Sequence, residues 1–413
     1  MISVVSKALR RACHPERSLS QLHRDRGSRR SCGFSLLFCG FLVTLLLSPA
    51  CLAEPAWPLW DSYNRIIIDQ QGRVIDHSAQ DRTTSEGQSY AMFFSLVAND
   101  RARFDKLLHW TEINLAGGDL TQHLPAWSWG KAPDGSWKPL DPHPASDADL
   151  WMAYSLIEAG RLWRDPHYDR LGMALAAQVA QQEAAFVPGL GTTLLPGPTG
   201  FHPDAQTWII NPCYLQPSIL ARLSKVMPNG PWAAILDSLN PILTQGSAGG
   251  YAMDWVTAGT GIHPSATPAQ HAAGDAGSMP VGGYEAIRVY LWLGIAAPDT
   301  RGLHSLFPRI PAMAVYLDSH PIPPQQVDAQ GRVLNPNGPP GFSAAVIPYL
   351  RAVGKNSQAN IQSDRLASTR DATTGLYGKS ADYYDQNLAL FATGWSEGRF
   401  RFDRDGKLRV KWK

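Results

Sequence analysis

An all-α fold is the expectation for this chain, and three features of the sequence carry it. Apolar residues recur at helical spacing: Tyr90, Phe93, Phe94 and Val97 stand at i, i+3, i+4 and i+7, and Leu150, Ala153, Tyr154 and Ile157 repeat the stripe. Helix-start chemistry precedes both runs, with Ser85 and Gln88 at capping-box spacing and Ser146 ahead of Asp147 and Asp149. Alternating apolar and polar runs, the mark of half-buried strands, are sparse. The pattern describes helix after helix joined by loops of very unequal length, in one domain covering residues 54–413.

Residues 1–53 stand apart from that domain. A basic stretch holding Lys7 and seven arginines precedes an apolar run from Phe34 to Leu47, and Ser48-Pro49-Ala50-Cys51-Leu52-Ala53 follows. This order describes a secretory signal cleaved after Ala53, and the run falls short of the roughly 20 apolar residues a membrane span needs. The expected product is periplasmic or secreted, with no stable membrane anchor. The chain has 37 basic and 35 acidic residues, and the leader takes eight of the former and two of the latter, leaving 29 against 33. The mature domain is therefore mildly acidic, which argues against nucleic acid as a ligand. Cys13, Cys32, Cys39 and Cys51 leave with the leader, so Cys213 stands alone and no internal disulfide forms. No Cys/His spacing suggests a metal site and no glycine loop suggests a phosphate cofactor, so neither is expected.

Taken in order, Trp57, Trp60, Tyr63 and Ile66 open the domain as a helix that turns at Gln71-Gly72. The helix of Glu86 follows, then an amphipathic helix from Arg103 to Leu115. Residues 124–142 read as a long loop carrying Trp127, Trp129 and Trp137. Helices are expected from Ser146, with Gly160 near the end of that one, and from Tyr168 to Glu183. Residues 188–200 read as loop or short strand, and Trp208, Asn211-Pro212 and Tyr214 lead into a helix of Ile219, Leu220 and Leu223. Pro231 to Leu243 is helical with proline in its first turn. Residues 246–283 form the longest poorly patterned stretch. Helices then run from Tyr284 to Ile295 and from Leu303 to Leu317, a proline-rich loop covers 320–341, and a last helix spans Tyr384 to Gly394.

Glu86, Asp147 with Asp149, and Glu285 each sit at the start of an expected helix, behind a loop rich in Gly, Pro, Trp or Ser. If the helices pack side by side, alternate N-termini face one end of the domain and these carboxylates converge. Glycosidic cleavage needs that arrangement, with one carboxyl group protonating the leaving oxygen and another activating water or attacking. Trp127, Trp129 and Trp208 along the same cleft would stack on sugar faces. Each residue also has a plainer account: Glu86 as a helix-dipole partner, Asp147 or Asp149 as a cap, Glu285 as an i, i+3 pair with Arg288, and the tryptophans as a loop folded onto the core.

The segments Thr84-Ser85-Glu86-Gly87-Gln88-Ser89-Tyr90 and Ala145-Ser146-Asp147-Ala148-Asp149 through Trp163 resemble glycoside hydrolase family 8. The likeness is greatest to the periplasmic endoglucanases encoded with bacterial cellulose synthase. It extends from Trp57 to Phe402, through Leu124-Pro125-Ala126-Trp127, Asn211-Pro212, Tyr284 to Arg288 and Gly341 to Ala345. The resemblance implies an (α/α)6 barrel of six helical hairpins and an inverting, metal-free endo-β-1,4-glucanase acting on cellulose chains. It implies Glu86 as proton donor, Asp147 as the residue gripping the sugar at the cleavage point, and Glu285 as base where relatives carry an aspartate, with Asp147 as the alternative base. Tyr90, Trp127, Trp129, Asp149, Trp208, Tyr214, Tyr284 and Arg288 are the expected substrate-binding set. The expected partners are a β-1,4-glucan chain and a cellulose-secretion complex. Hydrolysis of another β-1,4 glycan (chitosan or xylan) and glucan binding without hydrolysis are the alternatives.

Overall fold

The computed structural model describes residues 57–268 and 279–413. The expected leader and its cleavage point lie outside the described residues, as does part of the 246–283 loop. Twelve α-helices occur among the described residues: α1 Pro58–Ile66, α2 Ser85–Val97, α3 Arg101–Leu115, α4 Ser146–Trp163, α5 Pro166–Gln182, α6 Pro217–Val226, α7 Trp232–Gly246, α8 Ala286–Ile295, α9 Ala312–Tyr316, α10 Pro340–Ala352, α11 Asn356–Ser368 and α12 Tyr383–Ser396. None is long and apolar enough to cross a membrane.

The even-numbered helices close a ring, since α2 packs on α4, α4 on α6, α6 on α8, α8 on α10, α10 on α12, and α12 returns to α2. Odd-numbered helices back them: α3 on α2, α5 on α4, α7 on α6, α11 on α10 and α1 on α12. Between α8 and α10 the backing segment is 303–316, whose Ile310 carbonyl accepts a hydrogen bond from Tyr349 Oη of α10 at 2.8 Å. This is the (α/α)6 arrangement. Burial separates the layers: every residue of α8 is buried and every residue of α2 except Glu86, whereas α11 buries only Ala359, Gln362 and Leu366. An inner helix is covered on all sides and must be apolar nearly all round. At the ring's centre Phe391 of α12 meets Tyr90, Phe93 and Phe94 of α2, Trp151 of α4 and Trp292 of α8, with ring centroids 4.6–5.4 Å apart.

Several expectations are corrected. Helices α10 and α11 have no counterpart in the sequence reading. Pro340 sits in the first turn of α10 and Pro348 inside it, and burial on nearly all sides leaves no stripe to detect. The single helix expected over 303–317 is instead two 3₁₀ turns (Leu303–Ser305 and Phe307–Arg309) and the short α9, because Pro308 and Pro311 interrupt it. The loop 124–142 contains a hairpin of Ser128–Lys131 with Trp137–Asp141, to which Thr83–Thr84 adds a third strand. The 246–283 stretch supplies Trp255–Gly259 and His263–Ser265, joined to Thr207–Ile210 in another small sheet. These strands lie in loops that lead into inner helices, so they shape the end of the barrel where those helices begin.

Candidate active site

Every inner helix sends its N-terminal residues, or those just ahead of them, to one cavity of about 420 Å³. Glu86 comes from α2, Asp147 from α4, Tyr214 from ahead of α6, Tyr284 and Glu285 from ahead of α8, Pro339 from ahead of α10, and Asp382 to Asp385 from the start of α12. Trp127 closes one wall.

The start of α2 is built differently from the expected capping box. Thr84 is the cap, its Oγ1 accepting from Gly87 N at 3.2 Å, while Ser85 Oγ is buried without a partner among the described residues. Gln88 turns inward, accepting from Val74 N at 2.6 Å and donating to Gly72 O and Thr111 Oγ1. Ser85 N donates to Trp127 O at 2.9 Å, which ties the tryptophan loop to the helix bearing Glu86. Ser146 likewise caps nothing: its hydroxyl donates to Leu195 O at 2.7 Å, and Asp147 Oδ1 accepts from Ala148 N. Helix α8 is capped by a distant residue, Asp254, whose Oδ1 accepts from Gly283 N at 2.7 Å and Ala286 N at 2.8 Å.

One guanidinium organises the carboxylates. Arg288 Nη1 donates to Glu86 Oε2 at 2.5 Å, Asp147 Oδ2 at 2.9 Å and Tyr90 Oη at 3.1 Å, and Nη2 donates to Glu285 Oε2. The expected i, i+3 pair of Glu285 with Arg288 therefore exists, but inside the site and shared with two further acids. Tyr383 Oη donates to Glu86 Oε1 at 2.9 Å. Asn211 Nδ2 donates to Glu285 Oε2 at 2.9 Å, and Cys213 Sγ lies 3.5 Å from the same oxygen. Side-chain exposure grades these groups: 2% for Arg288 and Asp147, 15% for Glu86 and 30% for Glu285. Glu86 and Glu285 are thus open to a ligand, over a floor of Asp147 and Arg288. Burial raises Asp147 to about 7, against Arg288, and the charges of Glu86 and Glu285 push the same way as burial. With three carboxyl groups and one cation, the cluster holds a proton near neutrality.

Of the expected binding residues, Trp127, Tyr214 and Tyr284 line the cavity. Tyr90 lies beneath it, edge-on to Trp151, Trp292 and Phe391, and Arg288 grips carboxylates from below. The other three are corrected. Trp129 packs in the hairpin between Trp110 and Trp137, with Arg73 4.7 Å from its ring centroid. Trp208 is buried, stacked on His202 at 4.4 Å. Asp149 is fully buried with Glu183 behind Asp147, because a two-residue step along a helix rotates it away from the cleft. Sequence reasoning missed Asp76, Ser78, Arg82, Tyr383, Tyr384 and Asp385. The run Asp382-Tyr383-Tyr384-Asp385 had the acidic, aromatic helix start already noticed at Glu86, and that signal would have found it.

The family model for glycosyl hydrolases family 8 matches residues 38–398. The endoglucanase of Xanthomonas axonopodis pv. citri is 42% identical over 386 residues, covering 92% of this chain and 97% of that one. The endoglucanase of Escherichia coli K12 is 39% identical over 378 residues, covering 90% and 96%. Among solved structures, the endo-1,4-D-glucanase from Vibrio fischeri ES114 superposes with a TM-score of 0.78 at 37% identity, covering 86% of this chain and 99% of that one.

Proposed function

Because the chain belongs to glycosyl hydrolase family 8, we propose that it is an endo-β-1,4-glucanase that cleaves cellulose chains with inversion at the anomeric carbon. The observation that carries this reading is the convergence of Glu86, Asp147 and Glu285 on Arg288 within a cavity walled by Trp127, Tyr214 and Tyr284. Glu86, held by Tyr383 and Arg288, is the general acid that protonates the glycosidic oxygen as its bond to the anomeric carbon breaks. Glu285 is the general base: it takes a proton from the water that adds to the opposite face of that carbon. Asp147, on the floor, accepts hydrogen bonds from the sugar at the cleavage point and holds it in a distorted ring. Arg288 holds the three acids close and offsets part of their mutual repulsion.

Release of reducing ends from carboxymethylcellulose tests the assignment. Glu86→Gln and Glu285→Gln are each expected to lower kcat by about 10²–10⁴. An NMR time course of oligosaccharide hydrolysis should show the α anomer first, and a β anomer first overturns inversion.

A second reading has its own observation. Asp76, Asp382 and Asp385 add to the acidic lining, which also holds Arg82, paired with Asp76, and this excess of acids suits a cationic amino sugar. Parallel assays on soluble chitosan, xylan and carboxymethylcellulose decide between the polymers, and binding without turnover on all three supports a glucan-binding role instead. The basic and apolar leader of residues 1–53 supports export to the periplasm or beyond, and with it service to cellulose secretion. N-terminal sequencing of the exported protein tests cleavage after Ala53.

A further inference from the structure

We propose that Asn211 and Cys213 are positioning residues that hold Glu285 by one oxygen, Oε2, so that Oε1 receives the proton of the attacking water. The proposal rests on the reading of Glu285 as general base. Oε2 is the oxygen to which Arg288 Nη2, Asn211 Nδ2 (2.9 Å) and Cys213 Sγ (3.5 Å) all turn. None of these three reaches Oε1. A carboxylate oxygen with three donors is both fixed in place and poor in basicity, which leaves the other oxygen to face the cavity.

The two residues are themselves held. Asn211 is completely buried, and its Oδ1 accepts from Cys213 N at 3.1 Å, which sets the amide with its NH₂ toward Glu285. That bond also starts the 3₁₀ turn Pro212–Tyr214, so one side chain builds the turn and aims at the carboxylate. Cys213 is buried, and burial keeps its thiol protonated, against the pull of Arg288. It therefore acts as an S–H donor rather than a thiolate. Glu285 precedes α8 and has a flexible side chain, so its cavity-facing position depends on these neighbours.

Asn211→Asp keeps the oxygen that builds the turn and replaces the donor with an acceptor. Steady-state kinetics are expected to show kcat about tenfold or more below wild type with KM nearly unchanged. The acidic limb of the kcat pH profile should move to higher pH, because the ionised base has lost a donor. Cys213→Ser, which retains a donor, should stay within about threefold of wild type, whereas Cys213→Ala should fall further and show the same limb shift. A wild-type kcat and pH profile in both Asn211→Asp and Cys213→Ala overturns the proposal. So does a loss of activity without a shifted limb, which marks a structural role only. Thermal melts identify any unfolded variant, and the Cys213 pair then decides. Glu285→Gln separates the premises: if it stays active, Glu285 is not the base, and if it is inactive while the other variants behave as wild type, only the positioning claim fails.

Discussion

At the scale of single residues, the site is a problem of buried charge. Arg288 is the cation that meets Glu86, Asp147 and Glu285, and removing it would take from three acids the cation they share, most severely from the buried Asp147. Directly behind lies a second case, Asp149 and Glu183, both fully buried, with no donor among the described residues to any of their four oxygens beyond what the pair supplies to itself. Burial raises both well above the ordinary carboxyl range, and Asp149 is raised further by Asp147, as Glu183 is by Asp149. The native state therefore binds protons that the unfolded chain has released. Stability from this pair is fully present below about pH 4 and is lost as pH rises toward the raised native values. Glu183→Gln replaces one acid with an amide that can donate to Asp149 without a bound proton. Melting temperatures measured from pH 5 to 9 should decline less steeply for this variant than for wild type. Equal slopes would show that the pair does not hold the proton.

At the scale of the element, helix starts do the placing. Glu86 and Asp147 stand in the first turns of α2 and α4, and Glu285 just ahead of α8; Thr84 caps α2, no side chain caps α4, and a residue distant in sequence can also take the role. Asp254 is the clearest instance, gripping Gly283 N and Ala286 N on both sides of Glu285. Burial raises Asp254 to about 7, against the Ala286 hydrogen bond, and the nearby Glu285 charge adds to it. Asp254→Ala leaves two backbone donors unpaired and should destabilise the fold by about 1–2 kcal/mol in urea titrations. Because Glu285 moves with that turn, kcat should fall more than KM rises. Asp254→Asn, which keeps the acceptor, should recover most of both. The hairpin that carries Trp127 is a second positioning device: it pairs with Thr83–Thr84, so the aromatic wall and the helix of Glu86 form one unit.

At the scale of the whole molecule, the barrel is held from its centre. Phe391 touches aromatic rings from three other inner helices. Phe391→Ala should cost about 3–5 kcal/mol of unfolding free energy, since the surrounding rings belong to rigid helices that cannot collapse onto the void. Activity per folded molecule should change little, because the cavity lies at the helix N-termini and Phe391 sits in the middle of α12. A small loss of stability would show that the core repacks.

How much of this was legible depended on how each residue is buried. A helix with one buried face declares itself by period, as the Tyr90-to-Val97 stripe did, though α2 proved buried on almost every side. The inner helix α10 is apolar throughout and interrupted by Pro348, and the outer α11 is largely polar, so neither has a stripe. The Glu86, Asp147 and Glu285 positions were visible because each combined an acid with a helix start after a loop. Trp129, Trp208 and Asp149 were misplaced because residue type and spacing do not say which way a loop or a helix face turns.

The sequence by itself determined that the chain is helical and pointed to glycoside hydrolase family 8. Those conclusions follow from local period, composition and motif, which are properties of neighbouring residues. Only the tertiary structure decided that Arg288 joins three acids separated by 61 to 199 residues, and that Asn211, Asp254 and Tyr383 hold them. Those contacts exist because a closed ring of parallel inner helices brings every N-terminus to one end, and no local pattern along the chain encodes that closure.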